Sequence, residues 1–221
     1  FIILLGKLYN LKYQFEKMEL VLSDALLVID VQNDFCPNGA LPVVEGDLII
    51  QPINAAMDDF DIVVLTQDWH PASHKSFASS YENKKPFDTI EMFYGNQVLW
   101  PDHCIQGSVG ARFHPNLNHE KAEVIIRKGS NPAVDSYSAF FENDKVTPTG
   151  LHGYLKDREV TDVTLVGLAT DFCVAFSAID AAKLGYSVTV RLDMARAIDN
   201  GGSLNSAMDK MSKAGVNLEN G

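Results

Sequence analysis

Short, near-continuous apolar runs punctuate the chain, each rich in β-branched side chains: ALLVID (Ala25–Asp30), DIVVLT (Asp61–Thr66), EVIIRK (Glu123–Lys128), VTLVGL (Val163–Leu168) and SVTVRLD (Ser187–Asp193). Runs of this kind predict strands covered on both faces rather than strands with one wet side. GVNLE (Gly215–Glu219) predicts a weaker last strand. Between them, helix-period segments predict helices near Asp47–Asp58, Thr149–Arg158, Phe172–Leu184 and Gly202–Ala214. Pro52 argues that the first of these is kinked or starts late, because proline has no N–H to donate to a helix. Apolar strands alternating with helices predict an α/β domain with a doubly wound, mainly parallel six-stranded sheet and helices on both faces.

One region breaks this rhythm. From Asp68 to Asn118 the chain is irregular and rich in Pro, His, Gly, Asn and aromatic residues. A connection of that length inside a compact domain is usually functional.

Composition narrows the picture mainly by exclusion. The 221 residues are 46% hydrophobic and carry a formal net charge of −11, enough for one domain with a sizeable core. No Lys/Arg cluster offers a face for nucleic acid or for an anionic membrane, and no apolar run is long enough to span a bilayer. Cys36, Cys104 and Cys173 show no CxxC spacing and do not make a disulfide framework, which predicts a reducing, cytoplasmic setting. Residues 1–17 read as an N-terminal extension of unknown role, with too short an apolar stretch for a signal peptide, and residues 18–221 as a single domain.

Ligands of open α/β sheets bind beyond the carboxyl ends of the strands. Those ends carry Asp30, Asp68 with His70, Lys128 and Cys173. Taken singly, Asp30 reads equally as a turn cap, Lys128 as a solvated strand end and Cys173 as a small buried hydrophobe. Taken together they form a constellation. A cysteine in the first turn of a helix feels the positive end of the macrodipole, which favours its thiolate, and the unpaired N–H groups there suit an oxyanion. Asp30 can serve as its base, and Lys128 can hold both anions. In TQDWH, Asp68 and His70 are two residues apart and project to one face of an extended chain. His103, from WPDHC, is a third candidate, and a carboxylate with two imidazoles suits a divalent metal in a catalytic site. His74 is a fourth ligand or a neighbour of the set; His114, His119 and His152 read as surface or capping residues, and Cys104 as an unsuitable ligand beside His103.

IDVQNDFC, TQDWHPASHKSF, LWPDHCIQGSVGARFHP, IIRKG and GLATDFCV, in this order, resemble the nicotinamidases of the isochorismatase-like cysteine hydrolases, over about Leu20–Glu219. The resemblance implies hydrolysis of nicotinamide, and typically of pyrazinamide, within NAD salvage. It implies that Asp30, Lys128 and Cys173 are catalytic, and that Asp68, His70 and His103 hold one divalent metal ion per chain: Zn, Fe or Mn. His74 matches a position that binds metal only in some members and stays outside this set. The peptide before Ala169 is cis in the family, with the N–H groups of Ala169 and Cys173 forming the oxyanion hole. Phe35 and Trp100 match aromatics that sandwich the pyridine ring. Members differ in oligomeric state, and homo-oligomerisation is compatible with this sequence. The competing readings are an amidase of the same superfamily acting on a carbamoyl or ureido compound, and a non-catalytic thiol redox or binding protein.

Overall fold

Ala25–Ile29, the apolar heart of the first predicted strand, is completely buried, and this places β1 (Ser23–Ile29) in the middle of the sheet. The computed structural model describes residues 23–221, so the expected 1–17 extension lies outside the described residues. Around β1 the chain builds α1 (Ile50–Ala56), β2 (Ile62–Asp68), a hairpin of β3 (Thr89–Met92) and β4 (Gly95–Val98), and β5 (Val124–Lys128). It continues through α2 (Leu151–Asp157), β6 (Val160–Leu168), α3 (Ala175–Lys183), β7 (Ser187–Arg196), α4 (Ser203–Lys213) and β8 (Asn217–Glu219). Among the described residues the main sheet has six strands in the order β5-β2-β1-β6-β7-β8, and every pairing in it is parallel.

This order creates one place where the winding reverses. From β1 the chain moves outward through β2 to β5, then returns to the other side of β1 with β6. The crevice between two connections that leave in opposite directions is where open α/β sheets bind ligands. Asp30 follows β1 and Cys173 follows β6, so the two flank that crevice.

The predicted strands and helices are all present, with shifted ends. The first helix begins at Ile50 rather than Asp47, which puts Pro52 in the first turn, where a missing N–H costs nothing. The helix predicted from Phe172 becomes regular only at Ala175, behind a π-helical turn over Thr170–Val174. The β3–β4 hairpin is an addition. Its residues are mostly exposed or half-buried and alternate little in hydrophobicity, so no apolar period announced it.

Candidate active site and metal centre

Three strand ends deliver the central charges. Asp30 sits just beyond β1 with φ of 49°, a left-handed conformation that a short polar side chain tolerates. Thr66 on β2 fixes it from both sides: the Asp30 N–H donates to Thr66 Oγ1 at 3.1 Å, and that hydroxyl donates to Asp30 Oδ1 at 2.6 Å. In the β2–β5 register Asp68 lies directly opposite Lys128. The Lys128 ammonium, itself fully buried, pairs with Asp30 Oδ2 at 2.8 Å and with Asp68 Oδ1, and donates to the Ser136 carbonyl at 2.9 Å. It also reaches Cys173 Sγ at 3.4 Å. Burial alone would lower the Lys128 pKa, but Asp30 and Asp68 together hold it well above its usual value. Asp68 is held well below the carboxylate range: burial opposes this, and Lys128 and His70 outweigh it. Asp30 is raised, because burial and the neighbouring Asp68 outweigh Lys128.

Cys173 departs from one expectation. A helix start was expected to favour its thiolate, but burial pushes the thiol well above its usual pKa, and Asp30 and Asp68 add to this against the pull of Lys128. The macrodipole is worth at most about 2 kcal/mol even where partly buried. A thiol removed from water between two carboxylates therefore rests protonated and needs a base. Asp30 is placed for that work. One oxygen each from Asp30 and Asp68 and the Cys173 sulfur lie within 4.8 Å of one another, and Asp30 Oδ2 meets the Lys128 ammonium.

The turn carrying Cys173 is held on three sides. Gly167, at the end of β6, has φ of 111°, and a Cβ there would run into the Ile29 carbonyl of β1. The Asp171 carboxylate accepts from the Ile198 and Asp199 N–H groups and the Ser203 hydroxyl, which ties the turn to the chain leaving β7. Ser177 accepts from the Ala139 N–H and donates to the Cys173 carbonyl. The Leu168–Ala169 peptide is cis, as the resemblance implied.

Asp68 divides its two oxygens. Oδ1 faces Lys128, while Oδ2 lies 3.4 Å from His70 Nε2 and 3.7 Å from His103 Nε2. His70 Nδ1 donates to the Gly129 carbonyl at 2.9 Å, and His103 Nδ1 to the Pro101 carbonyl at 2.8 Å. Each ring is thereby fixed with Nε2 bare and turned inward, the tautomer a metal needs. His70 Nε2 is a buried atom with no hydrogen-bond partner among the described residues. Two ligand atoms about 2.1 Å from one tetrahedral ion stand roughly 3.4 Å apart, so the spacing of these three atoms fits a divalent cation. His74 instead contacts Ser76 Oγ through Nδ1 at 2.7 Å and the Val134 carbonyl through Nε2 at 3.3 Å.

Gly129 is essential to this arrangement. Its φ is 68°, its carbonyl orients His70, and a Cβ on it would meet the imidazole ring. Gly129→Ala is expected to displace His70 and weaken metal binding roughly 10–100-fold, as loss of a ligand's orienting partner does. Metal titration of the chelator-stripped protein reads this directly. An unchanged affinity would mean that His70 is not a ligand.

A narrow cavity opens between the two sets, lined by Asp68 and His103 on one side and Ala169 and Cys173 on the other. Phe35 and Trp100 both line it and are nearly buried. Phe35, Asp68, Trp100, His103, Ala169 and Cys173 thus line the cavity, and Asp30, Lys128 and His70 stand just behind the lining, in contact with Asp68 or Cys173. Five further lining residues went unnoticed in the sequence: Leu41, Asp135, Tyr137, Phe172 and Ile198. Phe172 packs edge-on against Trp100, with ring centroids 4.8 Å apart at 87°. The stretch after Lys128 is a second long connection leaving a strand's carboxyl end, and that was the signal for Asp135 and Tyr137. His114 and His119 lie at the surface or partly so, and His152 pairs with the Tyr186 hydroxyl, away from the cavity.

Fold and constellation together are those of an α/β cysteine hydrolase. Residues 24–219 match the isochorismatase domain family. A nicotinamidase of Acinetobacter baylyi is 54% identical over 87% of this chain and 90% of its own length, and one of Escherichia coli is 44% identical over 79% and 84%. Among solved structures, an Acinetobacter baumanii nicotinamidase/pyrazinamidase superposes with a TM-score of 0.89 at 51% identity, covering 91% of this chain and 98% of that one. A zinc complex of a Pyrococcus horikoshii pyrazinamidase superposes with a TM-score of 0.73 at 34% identity, over 90% and 99%. The chain belongs to the isochorismatase domain family, on its nicotinamidase branch.

Proposed function

We propose that this chain, as one hydrolase domain over residues 18–221, converts nicotinamide to nicotinate and ammonia through a thioester on Cys173, in NAD salvage, and accepts pyrazinamide as well. The observation that carries this reading is the Asp30–Lys128–Cys173 set opening into a small aromatic cavity whose far end is Asp68, His70 and His103. The likeness to nicotinamidases of two bacterial genera supports it. Phe35 and Trp100 line this cavity, where they would lie against the faces of a pyridine ring.

Asp30 takes the proton from the Cys173 thiol, and Lys128 stabilises the charge on both. The sulfur attacks the carboxamide carbon, and the oxygen that becomes negative turns to the N–H groups of Ala169 and Cys173. The C–N bond breaks, ammonia leaves with the proton held by Asp30, and an acyl-thioester remains. Asp30 then removes a proton from water as it attacks the thioester, the C–S bond breaks, and the thiol is restored. Asp68, His70 and His103 would hold one divalent ion per chain (Zn, Fe or Mn), which would supply a fixed positive charge and Lewis acidity at that end of the cavity. The zinc complex of the Pyrococcus pyrazinamidase supports a metal of this kind. All three cysteines are free, in keeping with a cytoplasmic setting.

Ammonia release from nicotinamide tests the reading, measured on the purified chain before and after chelation and after metal is restored. Release that stops on chelation and returns with metal is expected. Silence from a folded, metal-loaded chain would remove nicotinamide and turn the search to carbamoyl and ureido compounds.

A further inference from the structure

The β3–β4 hairpin is mostly exposed or half-buried, with one exception. Gln97, on β4, has no exposed surface at all and sits at the centre of a polar network. Its amide nitrogen donates to the Val98 carbonyl at 2.7 Å, to Asp135 Oδ2 at 2.7 Å and to the Tyr137 hydroxyl at 2.9 Å, so two protons are shared among three acceptors. Its amide oxygen accepts from the Tyr94 hydroxyl at 3.1 Å and from Asn143 Nδ2 at 3.3 Å. Asn143 in turn accepts from the Tyr137 N–H at 3.0 Å. Trp100 Nε1 donates to the same Tyr137 oxygen at 3.1 Å.

One buried amide therefore reaches three cavity-lining residues: Asp135 and Tyr137 directly, and Trp100 through Tyr137. Asp135 and Tyr137 come from the connection after β5, and Trp100 from the connection after β4. Main-chain bonds tie both connections to residues 75–78 (the Lys75 N–H to the Pro132 carbonyl, the Trp100 N–H to the Ser76 carbonyl), but these do not hold the facing side chains at a fixed separation. A buried network with all its members satisfied does so, because every alternative leaves a donor or acceptor unpaired away from water.

We propose that Gln97 is the positioning residue of the ring clamp: by donating to Asp135 and Tyr137 it sets the distance between the Trp100 wall and the Tyr137 wall of the cavity. Gln97 touches neither the thiol nor the metal ligands, and it acts on how tightly the ring is held. This rests on the proposed pyridine-carboxamide substrate. The hairpin thereby becomes a specificity element, exposed on its outer side and joined to the cavity by one side chain.

The test uses the full, metal-loaded chain with three substitutions. Gln97→Met keeps length and loses every polar contact; Tyr137→Phe keeps the ring and loses the oxygen to which Gln97 and Trp100 both donate. In each, KM for nicotinamide is expected to rise roughly tenfold while kcat stays within about threefold, the pattern of lost binding rather than lost chemistry. The double variant is expected to be little worse than either alone, since both cut one network. Gln97→Glu keeps the shape but sets a carboxylate against Asp135, and is expected to raise KM at least as far. The near-ultraviolet circular dichroism of Gln97→Met and Tyr137→Phe, without substrate, should show the same change in the tryptophan region. A purely structural role would lower Tm and the active fraction but leave KM and the spectrum alone, and that result overturns the proposal. Wild-type protein silent on nicotinamide would instead refute the substrate reading, with the spectrum still deciding the role of Gln97.

Discussion

Cys173→Ala is expected to lower kcat for ammonia release by roughly 10⁴-fold or more, as loss of a nucleophile does where the rest of the site survives. The thiol sulfur is the proposed nucleophile, and Asp30 and Lys128 are arranged around it. The substitution removes one small atom from a site whose walls are fixed elsewhere, by Asp171 and Ser177, so the fold and the metal set should persist. Metal stoichiometry and nicotinamide binding are accordingly expected to stay near wild-type values. Mass spectrometry adds a second readout: rapid quenching of the wild-type enzyme should trap a nicotinoyl adduct on Cys173, and the variant should show none. Near-wild-type turnover by Cys173→Ala would end the thioester mechanism and return Cys173 to the role of a core residue.

Lys128→Met should be the most damaging single change to stability. Its ammonium is the shared countercharge of two carboxylates that are themselves buried. Removing one partner of a buried ion pair costs about 3 kcal/mol or more, because the remaining charge is left without either water or a cation. For a chain of this size that corresponds to a fall in Tm of roughly 6–12 °C. The pH dependence has a definite sign. In the wild type Asp68 lies below its ordinary value of 3.8, so its contribution is present above that pH and is lost only as the pH falls through the depressed value. Without the ammonium, Asp30, already raised by burial, is pushed higher, and Asp68 loses the largest influence that opposes its burial. A raised carboxylate costs stability while ionised and stops costing once protonated. The Tm gap between wild type and Lys128→Met is therefore expected to be widest near neutrality and to narrow as the pH falls through the carboxylate range. A gap independent of pH would place the loss in packing rather than in charge.

Most of the fold was legible in the sequence for a simple reason. A strand segment buried on both faces is apolar throughout, as residues 25–29 of β1, 62–65 of β2 and 165–168 of β6 are, so the existence and parallel character of these strands could be read directly. The polar residues closing those runs were legible too, because a polar side chain ending an apolar strand lies at the sheet's edge, where a doubly wound domain binds ligands. The hairpin was not: its strands bury little, and burial is what writes a period into sequence. Nor was the network of Gln97, Asp135 and Tyr137, whose members are brought together only by tertiary folding.

The sequence by itself determined which chemistry this chain can perform, since the thiol, the ammonium, the carboxylates and the imidazoles are properties of residue types at strand ends. Only the tertiary structure decided their protonation and their partners. The macrodipole expectation for Cys173 failed on this point: it considered one helix, whereas the thiol is governed by its removal from water and by Asp30 and Asp68 arriving from β1 and β2. Electrostatic energy depends on distance and on exclusion of water, and both are set by which strand ends meet, not by the residues adjacent in the chain.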